Sequence, residues 1–137
     1  MAVYRQTLSI ASRGPGLHDI TSAVQRTVGE SHVVTGLCSV FVKHTSASLL
    51  VTENADPDVL RDLEAWLARI APESSVYAHD AEGRDDMPAH LRAAVTPISE
   101  TIPVEQGRLL LGTWQALYLF EHRRASHTRQ VVVTVLG

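Results

Sequence analysis

The ionisable groups of this 137-residue chain are densest between His79 and His90, where "HDAEGRDDMPAH" holds two histidines, four acids (Asp80, Glu82, Asp85 and Asp86) and one base, Arg84. If the loop folds back so that both imidazoles meet, they and a carboxylate form a nitrogen–oxygen set suited to zinc or a similar divalent ion. The same stretch could equally be a solvated connection, with Asp85 or Asp86 capping the helix that opens there. A second cluster, "HTSAS" (44–48), sets His44 before three hydroxyl residues, a turn able to offer imidazole, hydroxyls and backbone N–H groups to a phosphate or carboxylate. Hydroxyl-rich turns of this kind are also common strand connections. The third is "LGTWQALYLFEHRRASHTR" (111–129). There Glu121 and His122 end a strand beside Arg123 and Arg129, either to bind a phosphorylated substrate or as a charged hairpin tip.

The elements that must position these groups are legible from periodicity. "VYRQTLSIAS" (3–12) reads as a strand broken by "RGPG". Asp19 is a plausible cap for a helix carrying Ile20, Ala23, Val24 and Val28 and ending near Gly29. Residues 33–44 and 48–53 are β-branched and read as strands joined around "TSA". Asp56 caps a helix with Pro57 and Asp58 in its first turn, an apolar face of Val59, Leu60, Leu63, Leu67 and Ile70, and Pro72 at its end. "DMPAHLRAAV" (86–95) predicts a shorter helix that tolerates Pro88 in its first turn. The last third reads as three or four strands, the final two a hairpin through "RRASHT". Alternation from Trp114 places Ala116, Tyr118 and Phe120 on one face and Gln115, Leu117, Leu119 and Glu121 on the other. Strands in runs, with helices between the runs, predict an α+β class with a mostly antiparallel sheet.

Bulk composition narrows the function classes. The length fits one domain. No apolar run reaches the roughly 18–20 residues of a membrane span, so no membrane partner is expected. The formal net charge of −3 argues against a general nucleic-acid binder. Lys43 is the only lysine among the 12 basic residues, a bias read as genomic. A single cysteine, Cys38, excludes an internal disulfide framework and, within "GLCSVFV", reads as a small buried residue. With no secretory signal in view, these features point to the cytoplasm. The chain lacks a phosphate-binding Gly-rich loop with its lysine, a dinucleotide fingerprint, a His-Glu-x-x-His helix and a Gly-x-Ser-x-Gly elbow. Metal-assisted or acid–base chemistry on a small anionic ligand remains.

The same segments carry a resemblance. "HTSASLLVTENADPDVLRDLE", "DDMPAHLRAA", "IPVEQGRLLLGTWQALYLFEHR" and "RQVVVTVLG" resemble the YjbQ-like family, also called the secondary thiamine-phosphate synthase family, over about residues 5–137. The resemblance implies an antiparallel β-sandwich with two to three flanking helices, and a homotrimer with a site of histidines and acids between subunits. Matching positions are His44, Thr45, Ser46, Asn54 and Asp56, then His79, Asp85, Asp86 and His90, then Thr113, Trp114, Gln115, Glu121 and Arg129. Ala116 stands where the family's pattern has glycine, and the segment carrying His122, Arg123, Arg124 and His127 varies among relatives. The implied activity joins a hydroxymethylpyrimidine diphosphate to a thiazole phosphate. A divalent ion such as zinc on His44, His79 and His90 would neutralise the leaving group, helped by Arg129. Asp85, Asp86 and Glu121 would hold the ion or take a proton, and Thr45, Ser46, Asn54 and Gln115 would line the anion. The rival reading is a non-catalytic trimeric module that binds a metal ion or a small phosphorylated metabolite.

Overall fold

The computed structural model describes residues Met1 to Gly137. The elements run β1 (Val3–Ser12), β2 (Gly16–Asp19), α1 (Thr21–Ser31), β3 (Gly36–Val42), β4 (Ala47–Glu53), α2 (Pro57–Ile70), α3 (Asp86–Val95), β5 (Ser99–Glu105), β6 (Arg108–Leu109), β7 (Gln115–Glu121) and β8 (His127–Leu136). All strand pairs are antiparallel, in a five-stranded sheet ordered β1-β8-β3-β5-β6 and a three-stranded sheet ordered β2-β7-β4. The α+β class and antiparallel architecture follow the expectation.

Period-two alternation builds the core between the sheets. Val131, Val133 and Val135 of β8 face inward with Cys38, Val40 and Val42 of β3; Leu117 and Leu119 of β7 and Leu49 of β4 meet them from the other sheet. Val24 and Val28 of α1 close one side of this 16-residue cluster. The same inward parity, continued to the strand ends, carries Glu121 and Arg129 into the interior. Gly36 is needed where β3 meets the chain end, because a Cβ there would stand 1.8 Å from the Leu136 carbonyl oxygen. Cys38 is fully buried, and burial raises its thiol pKa to about 11, so it is an inert packing residue.

Local caps explain the helix starts. Asp56 accepts the Asp58 N–H at 2.9 Å, as its position before Pro57 predicts. Asp19 similarly accepts from Thr21 at 2.9 Å, although the helix proper begins at Thr21 and runs to Ser31, two residues beyond Gly29. It stops at His32, whose left-handed φ of 58° ends the repeat. Of the apolar face of α2 only Leu67 is buried, and Trp66 and Ile70 are about half exposed. No helix is long and apolar enough to cross a membrane.

Two expectations are corrected. β7 and β8 do not form a hairpin: β7 lies between β2 and β4, whereas β8 lies between β1 and β3, and residues 122–126 carry the chain from one sheet to the other. β3 and β4 likewise belong to different sheets, so "HTSA" is a crossing between layers. The short strands β2 and β6 carry too little alternation to be visible in the sequence.

Candidate metal centre

The acidic loop does fold back. α3 opens at Asp86, so His90 lies one turn further on the same helix face. Gly83, at φ 104°, turns the loop and accepts the Asp86 N–H, which returns His79 to the helix start. His79 Nε2 then stands 2.6 Å and His90 Nε2 3.2 Å from the same carboxylate oxygen, Asp86 Oδ2. The imidazoles meet edge to face, with centroids 5.4 Å apart. One ligand atom from each of the three residues falls within 4.8 Å of the others. Asp85 and Asp86 do not use their side chains as helix caps, the alternative left open by the sequence.

Proton positions follow from the acceptors. A carbonyl oxygen cannot donate, so the 3.0 Å contact between His90 Nδ1 and the Thr45 carbonyl fixes the proton on Nδ1. The His90 Nε2 faces Asp86 Oδ2. A backbone partner on one ring nitrogen is the usual way a metal-binding histidine is oriented. Asp86 is 2% exposed. Burial alone would raise its pKa, but the His79 hydrogen bond and the His90 and Arg123 charges outweigh burial and hold the carboxyl below its ordinary value.

Arg123 organises the acids from behind. Its Nη1 donates to Asp86 Oδ1 at 2.7 Å, its Nε to Asp85 Oδ2 at 3.0 Å, and its Nη2 to the Glu82 carbonyl at 3.1 Å. Asp85 Oδ2 also accepts the Arg124 N–H at 2.9 Å. Burial works against ionisation of Asp85, yet these donors lower its pKa. Arg123 holds only a minor place in the sequence reading; four acids within a dozen residues, with an "EHRR" strand end elsewhere in the chain, were the available signal.

Glu121 and Arg129 stand apart from this group. Both are buried, at 0% and 4% exposure, and pair side-on, Arg129 Nε donating to Oε2 and Nη2 to Oε1 of Glu121. Ser12 Oγ at 2.7 Å and the Arg123 N–H at 3.0 Å complete the Glu121 carboxylate. Ser46 Oγ and its carbonyl accept from Arg129. Four donors thus surround the Glu121 carboxylate, and the expected base and anion clamp form an internal ion pair that ties β1, β7 and β8 to the turn before β4. Ser46 serves that pair.

His44 does not join the other two histidines. Its Nε2 accepts the Gln130 N–H at 2.8 Å, which occupies the lone pair a metal would need. Burial first, and then the Arg129 charge, lower its pKa, so it is neutral with its proton on Nδ1. Thr45 contributes its carbonyl to His90 rather than a hydroxyl to an anion. Asn54 and Gln115 lie at the opposite end: Glu53 pairs with Gln115, whereas Ala47 pairs with Glu121. Six strand steps separate these ends, roughly 20 Å at ~3.3 Å per residue. There Asn54 holds the Thr113 and Gln115 carbonyls, Gln115 accepts from Gly112, and the turn presents Trp114 at 64% exposure.

Clefts flank the His–Asp–His group on both sides. One, of about 380 Å³, is lined by His79, Asp80, Arg84, Tyr77 and Met87. The other, also about 380 Å³, is lined by His90, His44, Thr45 and Thr96. Fold and site together define a two-sheet antiparallel α+β domain with a His–Asp–His group at one end of the sandwich. The chain belongs to the UPF0047 family, YjbQ-like, whose model matches residues 6–137. It is 53% identical over 135 residues to a UPF0047 protein of Synechocystis, covering 98% of this chain and 92% of that one. It is 41% identical to YjbQ of Salmonella typhimurium, over 98% of both. Among solved structures, a YbjQ-like protein of unknown function from Sulfolobus solfataricus superposes with a TM-score of 0.91 at 28% identity, covering 99% of this chain and 98% of that one. A YjbQ/UPF0047 protein from Clostridium acetobutylicum gives 0.85 at 37%, covering 96% and 98%.

Proposed function

We propose that this protein is an enzyme that uses a divalent ion, such as zinc, on a small phosphorylated metabolite, the ion being held by His79, Asp86 and His90. One observation carries the reading: with His90 Nδ1–H committed to the Thr45 carbonyl, two imidazole Nε2 atoms and an ionised oxygen converge on one point. Three electron-pair donors so placed call for a cation or for protons between them. Three protein ligands leave a zinc position open for water or a substrate oxygen, where the ion would polarise that group or neutralise a leaving phosphate. Arg123 fixes Asp86, Thr45 fixes His90, and Arg84 in the adjoining cleft supplies a further cation for phosphate oxygens.

The finer form of the reading is thiamine-phosphate synthesis, in which a C–N bond to the thiazole forms as the C–O bond to diphosphate breaks. The family resemblance supports it, as does a cleft within the size range of small-ligand sites. A homotrimer belongs to the same reading, supported by the outward Trp66 and Ile70 of α2. A non-catalytic binding module is the second reading. It is favoured by the saturation of Asp85 and Glu121, which leaves neither as a ready proton acceptor.

Elemental analysis of untagged protein, with its mass in solution, is the first test. About one transition ion per chain, lost in His79→Ala and His90→Ala, is the expected result. A metal-free protein that converts the two phosphorylated substrates would overturn the metal assignment. A metalloprotein that binds phosphates but turns none over would establish the binding module.

A further inference from the structure

A second polar cavity, of about 210 Å³, lies behind the metal centre, between α2, α3 and the end of β7. Glu64 and Leu67 of α2, Arg92 of α3, and Phe120, Glu121 and His122 at the end of β7 face it. Arg92 Nε is buried without a partner, the one side-chain nitrogen or oxygen in the molecule so placed. Its Nη2 donates to the Ala71 carbonyl at 3.0 Å, and no carboxylate lies within ion-pair distance. A buried guanidinium N–H left unpaired is costly, so a missing acceptor is the simplest account of it.

His122 supplies the complementary group. The residue is 3% exposed, and its ring lies against Phe120 with centroids 4.5 Å apart. Thr96 Oγ1 is 2.7 Å from the Arg92 carbonyl and 2.6 Å from Ser48 Oγ, which is 2.9 Å from His122 Nε2. Only one proton arrangement satisfies all three contacts: Thr96 donates to the carbonyl, Ser48 donates to Thr96, and His122 Nε2–H donates to Ser48. His122 Nδ1 is then a lone pair with no partner in the protein. Glu64 adds a second acceptor. Its carboxylate lies over Gly16, where a Cβ would stand 2.8 Å from Glu64 Oε1, and it makes no ion pair.

We propose that this cavity is a binding site for a small carboxylate that carries its own hydroxyl or amino donor, a hydroxy or amino acid of a few heavy atoms. Its carboxylate takes the Arg92 Nε–H, and its donor goes to His122 Nδ1 or Glu64. At ~30 Å³ per water-sized group, the volume holds roughly seven such groups. A bare dianion is disfavoured by the Glu64 and Glu121 carboxylates at the wall, and a neutral apolar ligand would leave Arg92 unpaired. The site is distinct from the metal centre and stands whether or not that centre holds an ion.

The test is a titration of protein with ¹⁵N-labelled histidine against glycine, glycolate and acetate. Before ligand is added, His122 should appear as the Nε2–H tautomer. Glycine or glycolate should move its Nδ1 resonance with a Kd in the millimolar range, and acetate should bind about tenfold more weakly. Arg92→Met should abolish the shift. Glu64→Gln, an exposed change that leaves folding intact, should weaken glycine more than glycolate. The proposal is overturned if His122 does not respond, if acetate matches glycine, or if Glu64→Gln binds both ligands as the parent does. Waters alone would then fill the cavity.

Discussion

Arg123 and Asp86 are joined by one charged hydrogen bond: Nη1 donates to Oδ1 at 2.7 Å, so that Oδ2 is the oxygen left to both histidines. The guanidinium thus selects which lone pairs of a buried carboxylate face the candidate ion. Arg123→Ala should lower metal affinity by roughly 10–100-fold, the usual effect of removing a partner that orients a ligand. Arg123→Lys should restore little, since a point charge cannot span Asp85 and Asp86 as the fork does. Competition against a chromophoric chelator reads both. Unchanged affinity in Arg123→Ala would mean that Asp86 is oriented without it.

His44 separates the structure from the three-histidine expectation. His44→Ala should keep the bound ion, because its Nε2 is already used by the Gln130 N–H, whereas His90→Ala should lose it. Thermal unfolding with and without chelator is a convenient measure. An ion present at 100 times its Kd adds about 2.7 kcal/mol, and that increment should persist in His44→Ala and vanish in His90→Ala. An increment lost equally in both variants would place His44 on the ion.

The Glu121–Arg129 pair is a prediction about stability. Glu121→Gln or Arg129→Met leaves one buried charge uncompensated, which costs about 3–5 kcal/mol. Urea denaturation at neutral pH should show the loss in either variant. A double change to apolar residues of similar volume should recover much of it. A loss under about 1 kcal/mol in the single variants would show that the pair is well hydrated.

His122 makes stability depend on pH. Burial, and then the Arg92 charge, push its pKa from 6.5 down to about 3, so the native ring stays neutral where the unfolded one takes a proton. The contribution is complete above pH 6.5 and is lost as pH falls from there towards about 3. At ~1.4 kcal/mol per unit, this one group should remove roughly 2 kcal/mol between pH 6.5 and 5. His122→Gln should be less stable at pH 7 and flatter across that interval. Parallel slopes in both proteins would assign the acid sensitivity to other groups.

Much of the scaffold is legible in the chain because it is local. Asp56-Pro57 starts α2 through one side-chain bond and one fixed φ, and valine alternation in β8 decides which face is buried. The same alternation names Glu121 as facing with Leu117 and Leu119, but cannot say that Arg129 waits opposite it, since that depends on how two sheets stack. Residues 122–126 look like a hairpin turn from within. Only sheet pairing shows them to be a crossing, and that crossing brings Arg123 over Asp85 and Asp86.

The sequence by itself determined the α+β class, the main strands, α2 and α3, and the twelve-residue stretch where two histidines and an acid could meet. The i, i+4 relation of Asp86 and His90 followed from the helix alone. The tertiary structure decided the rest: that His79 closes on the same oxygen, that a backbone carbonyl from another element sets the His90 tautomer, and that His44 is held elsewhere. The physical reason is that residue type and period fix which face a side chain takes. Which lone pair remains free is set by partners that come from distant parts of the chain.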